Sequence, residues 1–393
     1  MPVRVITKEE EFGALQSTWQ ELFDSNPNNS PYQSWQWNFT WWKHFGASGA
    51  LRLVVVEEDG RLIGIAPLFV ARRFRGLPIK HLAFIARKRT DYLDFIVRPE
   101  NEAGFFRQLF EFLAGGPREW LFIELKDFNE RSTNLLPLLR ESARAFPALS
   151  VESVQLCVTV ALTPGWDEFV AALGKRVRKD VGYDRRYMAK HLAVDFRNFE
   201  SARADSAALD DLITIYRGRW QGKGATQFDE SASARFEREI ALQFSEAGWY
   251  RLYMLYADRK PAAGLLGYVL HGKFYADVFA HSPSYEKYSV GNVLLGMAIE
   301  DCIANHWTEL DLSRGEEAYK YRWNGQTKRN YCLRIFRSRA GLALASFVEW
   351  IYERGSSVAF LQSLLARYRR LRSPSTAMPV PVRDCADRDE PRS

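Results

Sequence analysis

Residues 285–323 gather side chains of the kinds that carry acid–base and group-transfer chemistry. Tyr285-Glu286-Lys287-Tyr288-Ser289-Val290-Gly291-Asn292 leads into Val293, Leu294, Met297, Ala298, Ile299 and Ile303, apolar residues at helical spacing. Ser289 stands where a helix N-cap is expected, and Gly291 lets the backbone of the first turn come close to a ligand. The free N–H groups of Val290, Gly291 and Asn292 then form an expected anion site. The helix dipole adds about 0.3–1 kcal/mol per exposed charge, which suits a pyrophosphate. The plain alternative is an ordinary capped helix.

Polar residues gather again downstream. Glu309-Leu310-Asp311-Leu312-Ser313 reads as a strand that places Glu309, Asp311 and Ser313 on one face. Gly315 permits a sharp exit, and Glu316, Glu317, Tyr319, Lys320 and Trp323 follow. Asp277 interrupts an upstream strand that is otherwise apolar and aromatic (Phe274, Tyr275, Val278, Phe279). Such a set can supply a general base, an oxyanion donor and an aromatic wall; solvated loop residues are the alternative. Other chemistries are disfavoured. The chain has no GxSxG elbow, HExxH, Walker loop or GxGxxG, and its six histidines are dispersed. Cys157, Cys302, Cys332 and Cys385 show neither a CxxC pair nor metal-ligand spacing, so reduced thiols are expected, with Cys302 and Cys332 in the core.

The elements that must position these groups follow from periodicity and turn signals. In the first half a short strand (3–6) precedes a helix with a Thr7/Glu10 capping-box pattern, then an aromatic helix over 35–45. Apolar runs at 51–57 and 62–70 are joined by Glu58-Asp59-Gly60-Arg61, a hairpin signal. Strands at 81–85, 93–97 and 121–125 and helices at 102–113 and 135–145 complete it. The second half repeats the plan: strand 156–162, basic helix 166–191, strand 194–199, helices 209–220 and 234–246. Runs from 250, 263 and 273 lead to the segment above. Arg52-Leu53 followed by Asp59 has the spacing of Arg251-Leu252 followed by Asp258, and Gly64 and Gly264 occupy the next strands. Two tandem mixed α/β domains are therefore expected: 1–150 and 151–340. Residues 341–372 form an expected amphipathic basic helical extension, packed on the body or on an anionic membrane, and 373–393 a disordered tail.

At 393 residues the chain exceeds one ordinary core. With 47% apolar and 26% charged residues and no apolar run of membrane-spanning length, it reads as soluble and cytoplasmic, with membrane-peripheral association as the variant. The net charge of +6 is uneven, concentrated at 72–75, 175–179, 185–186 and 367–372. Without a nucleic-acid-binding signature, these clusters point to anionic small molecules.

Three blocks resemble a known family. They are Lys175-Arg176-Val177-Arg178-Lys179 with Arg185-Arg186, Tyr285-x-x-Tyr288-Ser289-x-Gly291-x-x-Leu294-Leu295, and Asp311-Leu312-Ser313-Arg314-Gly315-Glu316-Glu317-x-Tyr319-Lys320-x-x-Trp323. The resemblance, over roughly 160–325, is to the CelD-like acyltransferase branch of the GNAT superfamily, associated with cellulose and exopolysaccharide biosynthesis and related to the FemABX peptidyltransferases. It implies two tandem GNAT-like domains, the first degenerate. It also implies direct transfer from acetyl-CoA or another acyl-CoA, without a metal, to an amine or hydroxyl of a sugar or cell-envelope precursor. The donor pyrophosphate maps onto Ser289, Val290, Gly291 and Asn292. The chain departs from the usual GNAT loop, having one glycine there and no preceding arginine.

In the mechanism this implies, Glu316 is the first choice of base and Asp277 the second. Tyr319 and Lys320 orient the acceptor or stabilise charge, Trp323 stacks on a sugar ring, and Tyr285, Asp311 and Arg314 complete the substrate contacts. Peripheral contact with the inner membrane or a polysaccharide synthase complex is the expected association. The alternatives are a FemX-like aminoacyltransferase using aminoacyl-tRNA and a non-catalytic module binding glycan precursors through Trp35, Trp37, Trp41 and Trp42.

Overall fold

The computed structural model describes residues 3–87, 90–220, 228 and 231–356. The first half runs β1 (Val3–Ile6), α1 (Glu9–Gly13), α2 (Gln16–Asp24), α3 (Trp35–Phe45), β2 (Gly49–Leu51), β3 (Leu53–Glu58), β4 (Arg61–Ala66) and β5 (Leu68–Ala71). It continues with β6 (His81–Phe84), β7 (Ile96–Val97), α4 (Glu102–Gly115), β8 (Phe122–Asn129), α5 (Leu135–Ala145) and β9 (Ala148–Ala161). The capping box expected at Thr7 does not form; α1 starts one residue later, with Lys8 at its cap and no side-chain bond.

The second half runs α6 (Trp166–Ala172), α7 (Lys175–His191), β10 (Val194–Phe199), α8 (Ser206–Trp220), α9 (Ser231–Glu246), β11 (Tyr250–Ala257), β12 (Lys260–Leu270) and β13 (Lys273–His281). Then come α10 (Val290–Ala304), β14 (Glu309–Arg314), α11 (Ala318–Tyr321), β15 (Gln326–Phe336) and α12 (Arg339–Ser356). The basic helix expected over 166–191 is two helices, because Leu173 and Gly174 are extended between them.

The repeat anticipated from spacing is visible in the hairpins. Asp59 (φ 50) and Gly60 (φ 75) turn β3 into β4, and Asp258 (φ 50) and Arg259 (φ 64) turn β11 into β12. Two successive left-handed residues give the turn whose twist matches antiparallel strands. The halves are joined by exchange of their last strands. The large sheet has the order β10-β11-β12-β13-β14-β9-β15-β8-β6-β5-β2. β9, from the end of the first half, pairs antiparallel with β14 of the second. β15, from the end of the second, pairs with β8 of the first and with β9. The chain thus passes residue 150 inside a strand. A smaller sheet, β1-β3-β4-β7, closes the first half.

Apolar residues cover both faces. α3 is core: Trp37 is 0% exposed, edge-on to Phe236 at 5.2 Å and stacked on Phe244 at 5.9 Å. One buried tryptophan removes about 200 Å² from water, roughly 5 kcal/mol gross. Trp35 and Trp41 are buried as well, so these three do not form the glycan platform of the alternative reading. α6, α7 and α10 pack on one face of the second half's sheet, and α8 packs on the other. Cys157, Cys302 and Cys332 are buried free thiols. α12 packs on the body through Ala345 and Val348 against Phe74, Phe122 and Phe336, while Leu344, Phe347 and Trp350 face outward. The part of the expected extension from 357 onward lies outside the described residues. No helix among the described residues is long and apolar enough to cross a membrane.

Candidate active site

β13 and β14 are parallel neighbours only at their beginnings, Lys273–Tyr275 against Glu309–Asp311. Beyond that they splay, leaving one edge of β13 without a strand partner among the described residues. The cause is local to β14. Its pairing with β9 shifts register between Asp311 and Arg314, and Ser313 adopts a left-handed backbone, φ 60. Two bonds hold that conformation: the Ser313 N–H donates to Asp311 Oδ1 at 2.8 Å, and Ser313 Oγ donates to the Ala276 carbonyl across the opening. The period-two face expected from the sequence therefore holds for Glu309 and Asp311, which share Lys328, and ends at Ser313.

Asp311 is 0% exposed and also accepts from Tyr92 Oη at 2.9 Å and Lys328 Nζ at 2.8 Å. Arg314 forms an ion pair with Asp91 and donates to the Thr90 carbonyl. Lys320, 2% exposed, donates to the carbonyls of Ser313, Arg314 and Gly315 and pairs with Glu317 at 2.9 Å. Asp311, Arg314 and Lys320, all expected to touch substrate, are engaged in holding the end of β14. Trp323, expected to stack on a sugar ring, lies in the core instead. It is 1% exposed and stacked on Phe169, and a Cβ at Gly296 would lie 2.9 Å from its ring, so no face is open to a sugar. Its bulk seals the core beneath α10. Truncation to alanine should cost about 3–5 kcal/mol of stability, measurable by chemical unfolding.

Along β13, half-buried Asp277 accepts from Tyr268 Oη at 3.2 Å. Burial pushes the Tyr268 and Tyr32 phenols well up, and the Asp277 charge adds to both. Tyr319 packs on Phe279 at 5.5 Å, and burial raises its phenol too. Glu316 is exposed, its carboxylate 3.5 Å from Tyr321 Oη. Tyr285 donates to the Ala257 carbonyl at 3.3 Å.

A helical turn over Pro283–Tyr288 leads to Ser289, which occupies the N-cap of α10 in a left-handed conformation, φ 52, with no side-chain capping bond. The first intrahelical bond runs from the Val293 N–H to the Ser289 carbonyl at 3.0 Å, and Val290, Gly291 and Asn292 supply the first-turn N–H groups. A Cβ on Gly291 would meet the Phe279 and His281 rings at 3.4 Å, so the glycine brings the helix against β13. Asn292 lines a small cleft with Asp184, Arg185 and Arg322. Arg185 ties α7 to α10 through Glu300 at 2.7 Å, while Lys175, Arg176, Arg178, Lys179 and Arg186 remain exposed.

His281 escaped sequence reasoning. It ends β13 beside Gly291, its Nδ1 is buried without a hydrogen-bond partner among the described residues, and burial, with Arg219 adding and Glu286 opposing, lowers its pKa. Only its place at the end of a strand next to a turn could have signalled it. Among the described residues no cluster of three or more His, Cys, Asp or Glu could hold a metal ion.

This arrangement, a splayed parallel pair followed by a helix N-terminus, can seat an anionic group on α10 and expose a reacting centre beside β13. Comparison with known proteins agrees with it. Residues 175–321, from α7 to α11, match the family described as Acetyltransferase (GNAT) domain. No curated protein matches the sequence. Among solved structures, the chain is similar to FemX, with a TM-score of 0.56 at 15% identity over 84% of this chain and 97% of that one. It is also similar to L-PGS from Bacillus licheniformis, with a TM-score of 0.53 at 11% identity over 89% and 98%. The C-terminal domain of a putative lysylphosphatidylglycerol synthetase from Agrobacterium fabrum gives a TM-score of 0.52 at 12% identity over 88% and 97%. At these identities the likeness is one of fold, here a mixed α/β GNAT fold.

Proposed function

We propose that the chain transfers an acyl group from acyl-CoA to an amine or hydroxyl of a sugar or cell-envelope precursor, as the CelD-like resemblance implies. The observation that carries this reading is the splay of β13 and β14 opening beside the N-terminus of α10, inside the GNAT-matching residues. The donor pyrophosphate lies on the Val290, Gly291 and Asn292 amides. Transfer is direct, and positioning and oxyanion stabilisation supply most of the rate.

For the base, the position of Asp277 favours it over Glu316. Asp277 is half-buried on β13 where the strand loses its neighbour, and Glu316 sits on an exposed loop. Tyr319 packs on Phe279, two residues further along the same strand. Asp277→Asn is expected to lower kcat about 10²–10⁴-fold, with Glu316→Gln within about threefold of wild type. Steady-state assay of both variants with acetyl-CoA checks this, and the reverse ranking would move the base role to Glu316.

A second reading takes an aminoacyl donor, favoured by the fold likeness to FemX and L-PGS and by the exposed basic face of α7. Thermal shift separates the two: stabilisation by acetyl-CoA supports the first, and stabilisation by aminoacyl-tRNA alone, lost steeply with salt, supports the second.

A further inference from the structure

A cavity of about 220 Å³ lies at the other end of β13 and β14 from α10, where Lys273 and Glu309 begin the two strands. Its opposite wall comes from the first half, chiefly the turn after β8 and the segment after α2. The lining is unusually polar and well ordered by its own bonds. Ser132 Oγ and Asn134 Nδ2 donate to the Asp94 carboxylate, the latter at 2.8 Å, and Asn29 Nδ2 donates to the Phe23 carbonyl at 2.8 Å. Asn134 is 3% exposed, and its Oδ1 is left without a hydrogen-bond partner in that wall. A buried amide oxygen in that state is costly unless something supplies a donor.

The charges are arranged asymmetrically. Lys328 is neutralised by Asp311 at 2.8 Å and Glu309 at 3.2 Å. Arg131, exposed at the rim, reaches Glu309 at 3.5 Å. Lys273 lines the cavity with no ion-pair partner among the described residues. Tyr92 and Tyr275, both buried, give an aromatic floor. Many amide and hydroxyl groups, an aromatic surface and an unpaired ammonium together describe a receptor for a compact polyol with one acidic group. The volume is below that of a drug-sized pocket and suits one ring.

We propose that this cavity binds a hydroxyl-rich ring bearing a single anionic group, a sugar acid or sugar phosphate, at a site separate from the opening beside α10. The anionic group is met by Lys273 and Arg131, and the ring hydroxyls by the asparagines and Ser132. The inference does not depend on acyl transfer, because binding is measured without a donor.

Saturation-transfer NMR and calorimetry on the full chain would use D-glucuronate and D-glucose 6-phosphate as the two anionic sources, with D-glucose and acetate as controls. The expected result is saturable binding of at least one acid, with a dissociation constant on the order of 1 mM, as modest per-atom contributions give for a single ring. Glucose and acetate should bind about tenfold more weakly or not at all. Which acid binds decides between carboxylate and phosphate. Lys273→Ala and, on an exposed loop where folding is not at stake, Arg131→Ala should each weaken binding about tenfold. The proposal is overturned if neither acid binds at about tenfold that concentration, or if both variants bind as wild type does.

Discussion

Asp311→Ala is expected to destabilise the protein by about 3–5 kcal/mol and, through that loss, to suppress the acyl transfer proposed above. The carboxylate is fully buried and receives three donors at 2.8–2.9 Å: Tyr92 Oη, Lys328 Nζ and the Ser313 N–H. Removing it leaves Lys328, 6% exposed, with only Glu309, so a buried charge loses its nearest counter-ion. Burial would lower the Lys328 pKa, but Asp311 and Glu309 outweigh that and raise it. With its folded pKa above the unfolded one, the lysine's contribution is present below the unfolded lysine range wherever its carboxylate partners are ionised, and is lost as pH rises through the folded value. On the alkaline side the variant should therefore keep its stability deficit until the lysine deprotonates. The same substitution frees Ser313 from its left-handed conformation, so the splay should close or become disordered even where the fold survives. Urea unfolding at pH 7 measures the first effect, and a loss under about 1 kcal/mol would contradict it.

Arg334→Ala should cost a similar 3–5 kcal/mol for a different reason. Arg334 stands on the exchanged strand β15, 3% exposed, and joins Glu124 of β8 at 3.1 Å, Glu152 of β9 at 2.9 Å and Glu349 of α12 at 2.8 Å. It is the charge that fastens both halves and the last helix at one point. Burial alone would raise the Glu124 carboxyl; Lys126, His81, Arg334 and Arg87 together hold it down to about 2. A depressed folded pKa contributes stability above the unfolded value, ordinarily 4.5, that disappears as pH falls through about 2. The gap corresponds to roughly 3 kcal/mol. Arg334→Ala should thus move the acid-unfolding midpoint upward and detach α12, seen as faster proteolysis after residue 337. A paired Arg334→Leu, Glu124→Leu variant should recover much of the loss, since the uncompensated charge is then gone.

The fold was legible where a pattern is local. Asp59-Gly60 announced its hairpin because the turn needs left-handed residues and glycine supplies them, and α3 was read over the residues it occupies. The segment 285–323 carries its order of turn, helix, strand and short helix in residues adjacent in the chain. β15 was not anticipated. Gln326–Phe336 carries Lys328, Asn330 and Arg334 at positions that are buried, so its alternation looks broken until their partners on β8, β9 and β14 are known. The same blindness affected the site residues: Asp311, Lys320 and Trp323 have the types expected of substrate contacts, and only their burial shows them serving the end of β14 and the core under α10.

The mixed α/β class and the segment that holds the glycine and polar turns beside a helix N-terminus follow from residues adjacent in the chain. Tertiary structure alone decided that the halves exchange their last strands, that His281 stands beside Gly291, and that Asp311 sets the splay. Those outcomes depend on pairings between residues up to some two hundred positions apart, such as Tyr92 with Asp311 and Arg334 with Glu124. A charge becomes structural or chemical according to what surrounds it, and for these residues the surroundings come from the other half of the chain.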